Sequence, residues 1–76
     1  MKTIKIFVAD DHPLFLKGLK DTLVEEADFE ILGSAINGQE ALEKIINLQP
    51  DVATLDLDMP LMNGIEVAKI LLKTHH

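Results

Sequence analysis

Four aspartates stand where apolar runs give out. Asp10 and Asp11 follow a run ending at Ala9, and Asp56 and Asp58 lie directly behind Val52–Leu55, ahead of Pro60 and an Asn-Gly pair. Two carboxylates about 4 Å apart repel by ~1 kcal/mol in water and ~4 kcal/mol at an effective dielectric of about 20, so carboxylates converging on one crevice require a counter-charge. Oxygen donors suit a hard divalent cation, and Mg²⁺ typically takes one or two carboxylates together with water and phosphate oxygens. An aspartate beside such an ion is also a nucleophile able to form an aspartyl phosphate. Any one of these residues alone reads as a helix cap or a solvated loop acid. The two motifs together, each at the end of an apolar run, point to metal-assisted phosphoryl chemistry.

Those motifs must be held by the elements before them. Ile4, Ile6 and Val8 alternate with Lys5 and Phe7 as a strand does, and Pro13 suits the first turn of a helix on which Phe15, Leu19 and Leu23 recur. "FEILGSA", from Phe29, reads as a second strand. Asn37-Gly38 then turns the chain into a helix with Ala41, Leu42, Ile45 and Ile46 on one face, ended by Pro50. Val52–Leu55 is a third strand, apolar on both faces, and "GIEVAKILLK" a third helix with Ile65, Ala68 and Leu72 on one side. The order βαβαβα predicts an α/β fold with a doubly wound parallel sheet and right-handed crossovers. In such open sheets ligands bind beyond the carboxyl ends of the strands, where strand order reverses. A 2-1-3 order brings Asp10, Asp11 and Asp56 to one crevice.

Composition narrows the function classes. The chain has 76 residues, 47% of them apolar, with three Phe and neither Trp nor Tyr, which bounds it to one small globular unit with an aliphatic core. It contains no Cys, so disulfides, thiolate metal sites and a thiol nucleophile are excluded. A net charge of -6 argues against this chain gripping a phosphate backbone itself, so no nucleic acid is expected to bind it. The N-terminal apolar run is too short for a signal peptide or membrane span, and the expected location is the cytoplasm.

"VADDHPLFLKGL", from Val8, and "DVATLDLDMPLMNGIE", from Asp51, resemble the receiver domain of bacterial response regulators, in the NarL/FixJ/LuxR-type subfamily whose first acidic motif reads "ADDHPLF". The resemblance implies a flavodoxin-like fold truncated after the third βα unit, making residues 1–76 a partial receiver domain. It implies that Asp56 is the phosphoacceptor, that Asp11 ligates Mg²⁺ directly, that Asp10 supports the ion through water, and that Asp58 contributes its backbone carbonyl. A sensor histidine kinase would be the phosphodonor, and transcription control would follow through a DNA-binding domain further along the parent chain. The fourth and fifth units of the family pattern, with a switch Ser or Thr and a phosphate-pairing Lys, have no counterpart here, so this chain is expected to be impaired in phosphorylation. It is not expected to be an enzyme.

Two other readings stand beside this one. "LDLDMPL" is similar to the DxD motif of haloacid-dehalogenase-like phosphohydrolases, although Met59-Pro60 replaces their Gly-Thr and the motif lies on the third strand. The chain could also be an inactive folding or assembly unit. The third strand would be left as an apolar sheet edge, which invites pairing, so a homodimer or higher oligomer is expected through that edge or through exchange of a βα unit. His12 reads as a loop residue near the start of the first helix, because oxygen donors already serve the ion. Met59 and Met62 read as loop packing, and His75 and His76 as either native residues or the start of a tag.

Overall fold

The computed structural model describes residues 3–74. The elements are β1 (Ile4–Ala9), α1 (Pro13–Val24), β2 (Phe29–Ala35), α2 (Gly38–Leu48), β3 (Val52–Leu55) and α3 (Gly64–Thr74). The three strands form one parallel sheet in the order β2-β1-β3, as the βαβαβα pattern predicts. His75 and His76 lie outside the described residues. Among the described residues no helix is long and apolar enough to cross a membrane.

β1 is the central strand, and from Ile6 to Ala9 its side chains are buried on both faces. Phe7 and Ala9 pack with Ala41 and Ile45 of α2, Val67 of α3 and Met59 of the following loop. Ile6 and Val8 pack on the opposite face against Leu16 of α1, with Leu19, Leu23, Phe29 and Ile31 around them. Burying each such side chain stabilises by about 1.5–3 kcal/mol, so the core rests chiefly on β1 and the helices above and below it. Met59 and Met62 do serve as loop packing.

Helix rotation differs from the sequence reading at three places. In α1 the inward column is Leu16, Leu19 and Leu23, while Phe15 is 60% exposed. One residue is about 100° of helix, so Phe15, one position before Leu16, faces away from the sheet while Leu19 and Leu23 of the expected column meet it. In α3 Val67 is buried and Leu71 packs beside it, whereas Ile65 and Leu72 are exposed. In α2 Ala41 and Ile45 are buried and Ile46 is 38% exposed. That helix is closed not by Pro50 but by Gln49, which adopts a left-handed φ of 50° while its N–H donates to the Ile45 carbonyl.

α2 and α3 start with the same four-residue pattern, Asn-Gly-x-Glu. In α3 the Asn63 Oδ1 accepts from the Glu66 N–H (2.9 Å) and the Glu66 carboxylate accepts from the Asn63 N–H (3.0 Å), a reciprocal capping box. In α2 Asn37 Oδ1 accepts from the Glu40 N–H (2.8 Å), and Glu40 accepts one residue further back, from the Ile36 N–H (3.1 Å). Gly38 lies so close to the Met62 backbone that a Cβ there would overlap its carbonyl, so α2 seats directly on the β3–α3 loop. Asp51 fixes the other end of β3, since its Oδ2 accepts from the Lys5 N–H (2.8 Å) and its own N–H donates to the Lys5 carbonyl (2.8 Å).

Candidate functional site

β1 and β3 deliver their carboxylates to the same end of the sheet. The pairing of Ala9 with Leu55 is continued by the Asp56 N–H, which donates to the Ala9 carbonyl at 3.1 Å. On the other side of β1 the Asp10 N–H donates to the Ala35 carbonyl at 3.1 Å. Backbone pairing thus locks the chain just where each strand gives way to its acid. One ligand atom from each of Asp10, Asp11, His12 and Asp56 falls within 4.8 Å of the others. The predicted convergence of Asp10, Asp11 and Asp56 is therefore present.

Asp58 stands apart. Its carboxylate is not among the converging groups, the residue is exposed, and its N–H faces the Asp56 Oδ1 at 3.5 Å. Three residues past the strand end, the chain has already turned toward Met59, which is buried in the core. A hydrolase of the DxD type would need both carboxylates in the crevice, and this geometry removes that reading.

His12 is an exposed loop residue at the start of α1, as the sequence reading has it, and it also borders the crevice. From that loop its Nδ1 sits 2.7 Å from Asp10 Oδ1, 3.0 Å from Asp11 Oδ1 and 3.9 Å from Asp56 Oδ2. The short turn after β1 holds it there: the His12 N–H donates to Asp10 Oδ1 at 2.9 Å, and Pro13 begins α1 immediately after. The hydrogen bond to Asp10, followed by the charge of Asp11, raises the imidazole pKa above its ordinary 6.5. The unbroken run Asp-Asp-His at a strand end was the available signal. The carboxylate side chains are only 13% (Asp10), 30% (Asp11) and 24% (Asp56) exposed. Asp11 Oδ1 is buried and accepts no hydrogen bond, since the Nδ1 of His12 bonds Asp10. Three carboxylates drawn together at a strand end, with only the His12 ring as a nearby cation among the described residues, fit a hard divalent ion.

The response regulator receiver domain family matches residues 6–76. Protein-glutamate methylesterase/protein-glutamine glutaminase from Geobacillus kaustophilus is 49% identical over 75 residues, which are 99% of this chain and 22% of that protein. The uncharacterized transcriptional regulatory protein YvfU of Bacillus subtilis is 41% identical over 70 residues, 92% of this chain and 35% of that one. Among solved structures, the signal receiver domain of the response regulator NarL from Mycobacterium tuberculosis superposes with a TM-score of 0.94 at 38% identity, covering 97% of this chain and 60% of that one. The response regulator domain of Thermotoga maritima CheB gives 0.93 at 40% identity, covering 97% and 55%.

The chain therefore spans about a fifth to a third of these two curated relatives. The expectation that the protein is not an enzyme is corrected by them, because several relatives bear enzyme names and the matched segment is the regulatory portion of those enzymes. The residues of a receiver do not encode what is attached to it, which is why its sequence could not decide this point.

Proposed function

The chain belongs to the response regulator receiver domain family, and from that premise we propose that it is a phosphoacceptor module with Asp56 as the accepting residue. The observation that supports this most is the convergence of Asp10, Asp11 and Asp56 at the carboxyl ends of β1 and β3. An Asp56 carboxylate oxygen attacks phosphorus, the P–N bond of a phosphohistidine breaks, and the departing imidazole takes up a proton. A sensor histidine kinase is the donor in this reading, which places the module in the cytoplasm, where such donors present their phosphohistidine.

Asp11 and Asp56 would hold Mg²⁺, with Asp10 supporting it through water and the Asp58 backbone carbonyl as a further donor. When bound, the ion neutralises charge on the phosphoryl oxygens as the bond to Asp56 forms. Asp10 and Asp11 then have two tasks, keeping the nucleophile oriented and holding the counter-ion that lets three carboxylates share one crevice. The Asp56 backbone is already fixed by its bond to Ala9.

As a partial receiver domain, the 76 residues would supply the nucleophile and metal ligands, and the phosphate-pairing groups that the family resemblance implies would come from strands beyond β3. Output would come from a further domain. Regulation of transcription through a DNA-binding domain fits the likeness to YvfU and NarL, and control of an attached esterase fits the methylesterase relatives equally well. Among the described residues β3 pairs with β1 alone, and Val52 on it is half exposed, so in the 76 residues by themselves, where no further strand covers it, a second copy would pair along its outer edge.

The test is phosphorylation of the longest chain that contains these residues, using acetyl phosphate and Mg²⁺ and weighing the intact protein. One phosphoryl group is expected in the wild type and none in Asp56→Asn. Equal modification of both proteins would remove Asp56 from the role.

A further inference from the structure

We propose that the outer edge of β2 is closed to a second copy of this chain, with the Glu40–Lys44 pair of α2 occupying the place that a residue of an added strand would take. This rests on the reading that a second copy pairs along β3, and it limits that pairing. A sheet with one closed edge joins two copies and does not grow as a continuous sheet.

Backbone direction carries the argument. The Ala35 carbonyl points inward to β1, where it accepts from the Asp10 N–H. Carbonyls of successive strand residues point to opposite sides, so that of Ser34 faces the free edge, and the Ile36 N–H, two residues on, faces the same way. A strand arriving alongside needs both groups: one of its residues would donate to the Ser34 carbonyl and accept from the Ile36 N–H. Both are taken by side chains. Lys44 Nζ donates to the Ser34 carbonyl at 3.0 Å, Glu40 Oε1 accepts from the Ile36 N–H at 3.1 Å, and Glu40 Oε2 lies 3.2 Å from Lys44 Nζ. One turn of α2 thus presents a donor and an acceptor as a single strand residue does.

Two further features close the same edge. From α1, on the other face of the sheet, Lys20 Nζ donates to Ser34 Oγ at 3.4 Å. The register of β2 against β1 slips at Leu32, since Ile6 faces Ile31 whereas Phe7 faces Gly33, and such a bulge bends the strand away from regular pairing. Lysines and bulges are means by which sheet edges avoid pairing. β3 has neither, because its register with β1 runs from Val52 to Leu55 without a shift and those residues include no Lys. The two edges of this sheet are therefore unequal.

The test is made in Val52→Lys, which blocks β3, so that association reads β2 alone. Sedimentation of that chain should show a monomer. Adding Lys20→Ala and Lys44→Ala should make it associate, with the self-dissociation constant lowered about tenfold or more. Alanine favours helix at both positions, and losing two positive charges from a chain of net charge -6 opposes association by itself, so a gain reports on the edge. Lys17→Ala with Lys69→Ala makes the same charge change away from the edge and should leave the monomer. Circular dichroism checks that each chain is folded, and Lys44→Ala by itself carries the test if the pair unfolds. A folded chain that stays monomeric without these lysines, equal association in the control, or growth of the unaltered chain into filaments would overturn the proposal. An unaltered chain that forms no dimer would instead remove the pairing at β3 and leave the comparison at β2 standing.

Discussion

Gly64 presses on the backbone of Asp56: a Cβ at Gly64 would lie 2.5 Å from the Asp56 carbonyl oxygen and 3.2 Å from that of Leu55. Both obstacles are backbone, so neither can rotate away. The first residue of α3 therefore sets how the loop after β3 leaves the strand, and with it the direction of the Asp56 side chain.

Gly64→Ala is expected to destabilise by about 1–3 kcal/mol, as overpacking does, and to weaken Mg²⁺ binding as well, because the displaced atom belongs to Asp56 itself. Gly18→Ala is the control. Nothing lies within 4 Å of a Cβ at that exposed position in α1, and the gain in helix propensity should stabilise by about 0.5–1 kcal/mol without touching metal affinity. Thermal unfolding and calorimetry of the two variants check both statements.

Removing one carboxylate from the crevice should reduce Mg²⁺ affinity. Asp56→Asn and Asp11→Ala are each expected to cost about tenfold, ~1.4 kcal/mol, measured by titration of the chain with MgCl₂. Unfolding temperatures without the ion should stay level or rise slightly, since each change relieves repulsion among carboxylates.

Glu40 gives α2 an acid-sensitive start. Its pKa is held below the ordinary 4.5 by the hydrogen bond from the Ile36 N–H first and by Lys44 second. A carboxylate depressed by folding contributes stability that is present above the unfolded value and lost as pH falls through the folded one. The stability difference between wild type and Glu40→Gln should therefore be constant above about pH 4.5 and shrink below it. Urea unfolding across pH 3–7 would show this, and a difference independent of pH would contradict the assignment.

Phosphorylation of the 76 residues alone should be slow. Among the described residues the basic group nearest Asp56 within ion-pair distance is His12 at 3.9 Å, and no lysine pairs with it. The loss of one preorganised donor can cost ~2.7–4 kcal/mol, a factor of 10²–10³ in rate. Mass measurement over time with acetyl phosphate reads the rate directly, and rapid stoichiometric modification would show the clamp to be unnecessary.

The outer edge of β3 should make the chain self-associate. Val52 is 49% exposed, and Ile65 and Leu72 of α3 add apolar surface. Sedimentation at micromolar concentration is expected to show a dimer or larger species, with the two β3 strands antiparallel across a two-fold axis. Val52→Lys should dissociate it, whereas a folded monomer at every concentration would count against edge pairing.

Strand boundaries, strand order and the convergence of Asp10, Asp11 and Asp56 were legible in the sequence. They follow from local rules: apolar runs of strand length, turn residues between them, and a crossover handedness that leaves one usual arrangement. The carboxylates needed no further information, because each directly follows a strand and parallel strands end on the same side.

Helix rotation and the place of His12 were decided only by tertiary packing. Phe15 and Leu16 are equally apolar, and composition cannot say which one meets Ile6 and Val8; the path of the chain out of the Asp10–Pro13 turn fixes that. The same turn carries the Nδ1 of the exposed His12 ring back to Asp10 and Asp11. Gly38 and Gly64 look like ordinary turn glycines, yet neither has a positive φ, and what excludes a side chain at each is a neighbouring backbone carbonyl distant in sequence. Local pattern reports what a residue prefers by itself, whereas these positions are set by what arrives from elsewhere in the chain, and only the assembled fold brings those partners within reach.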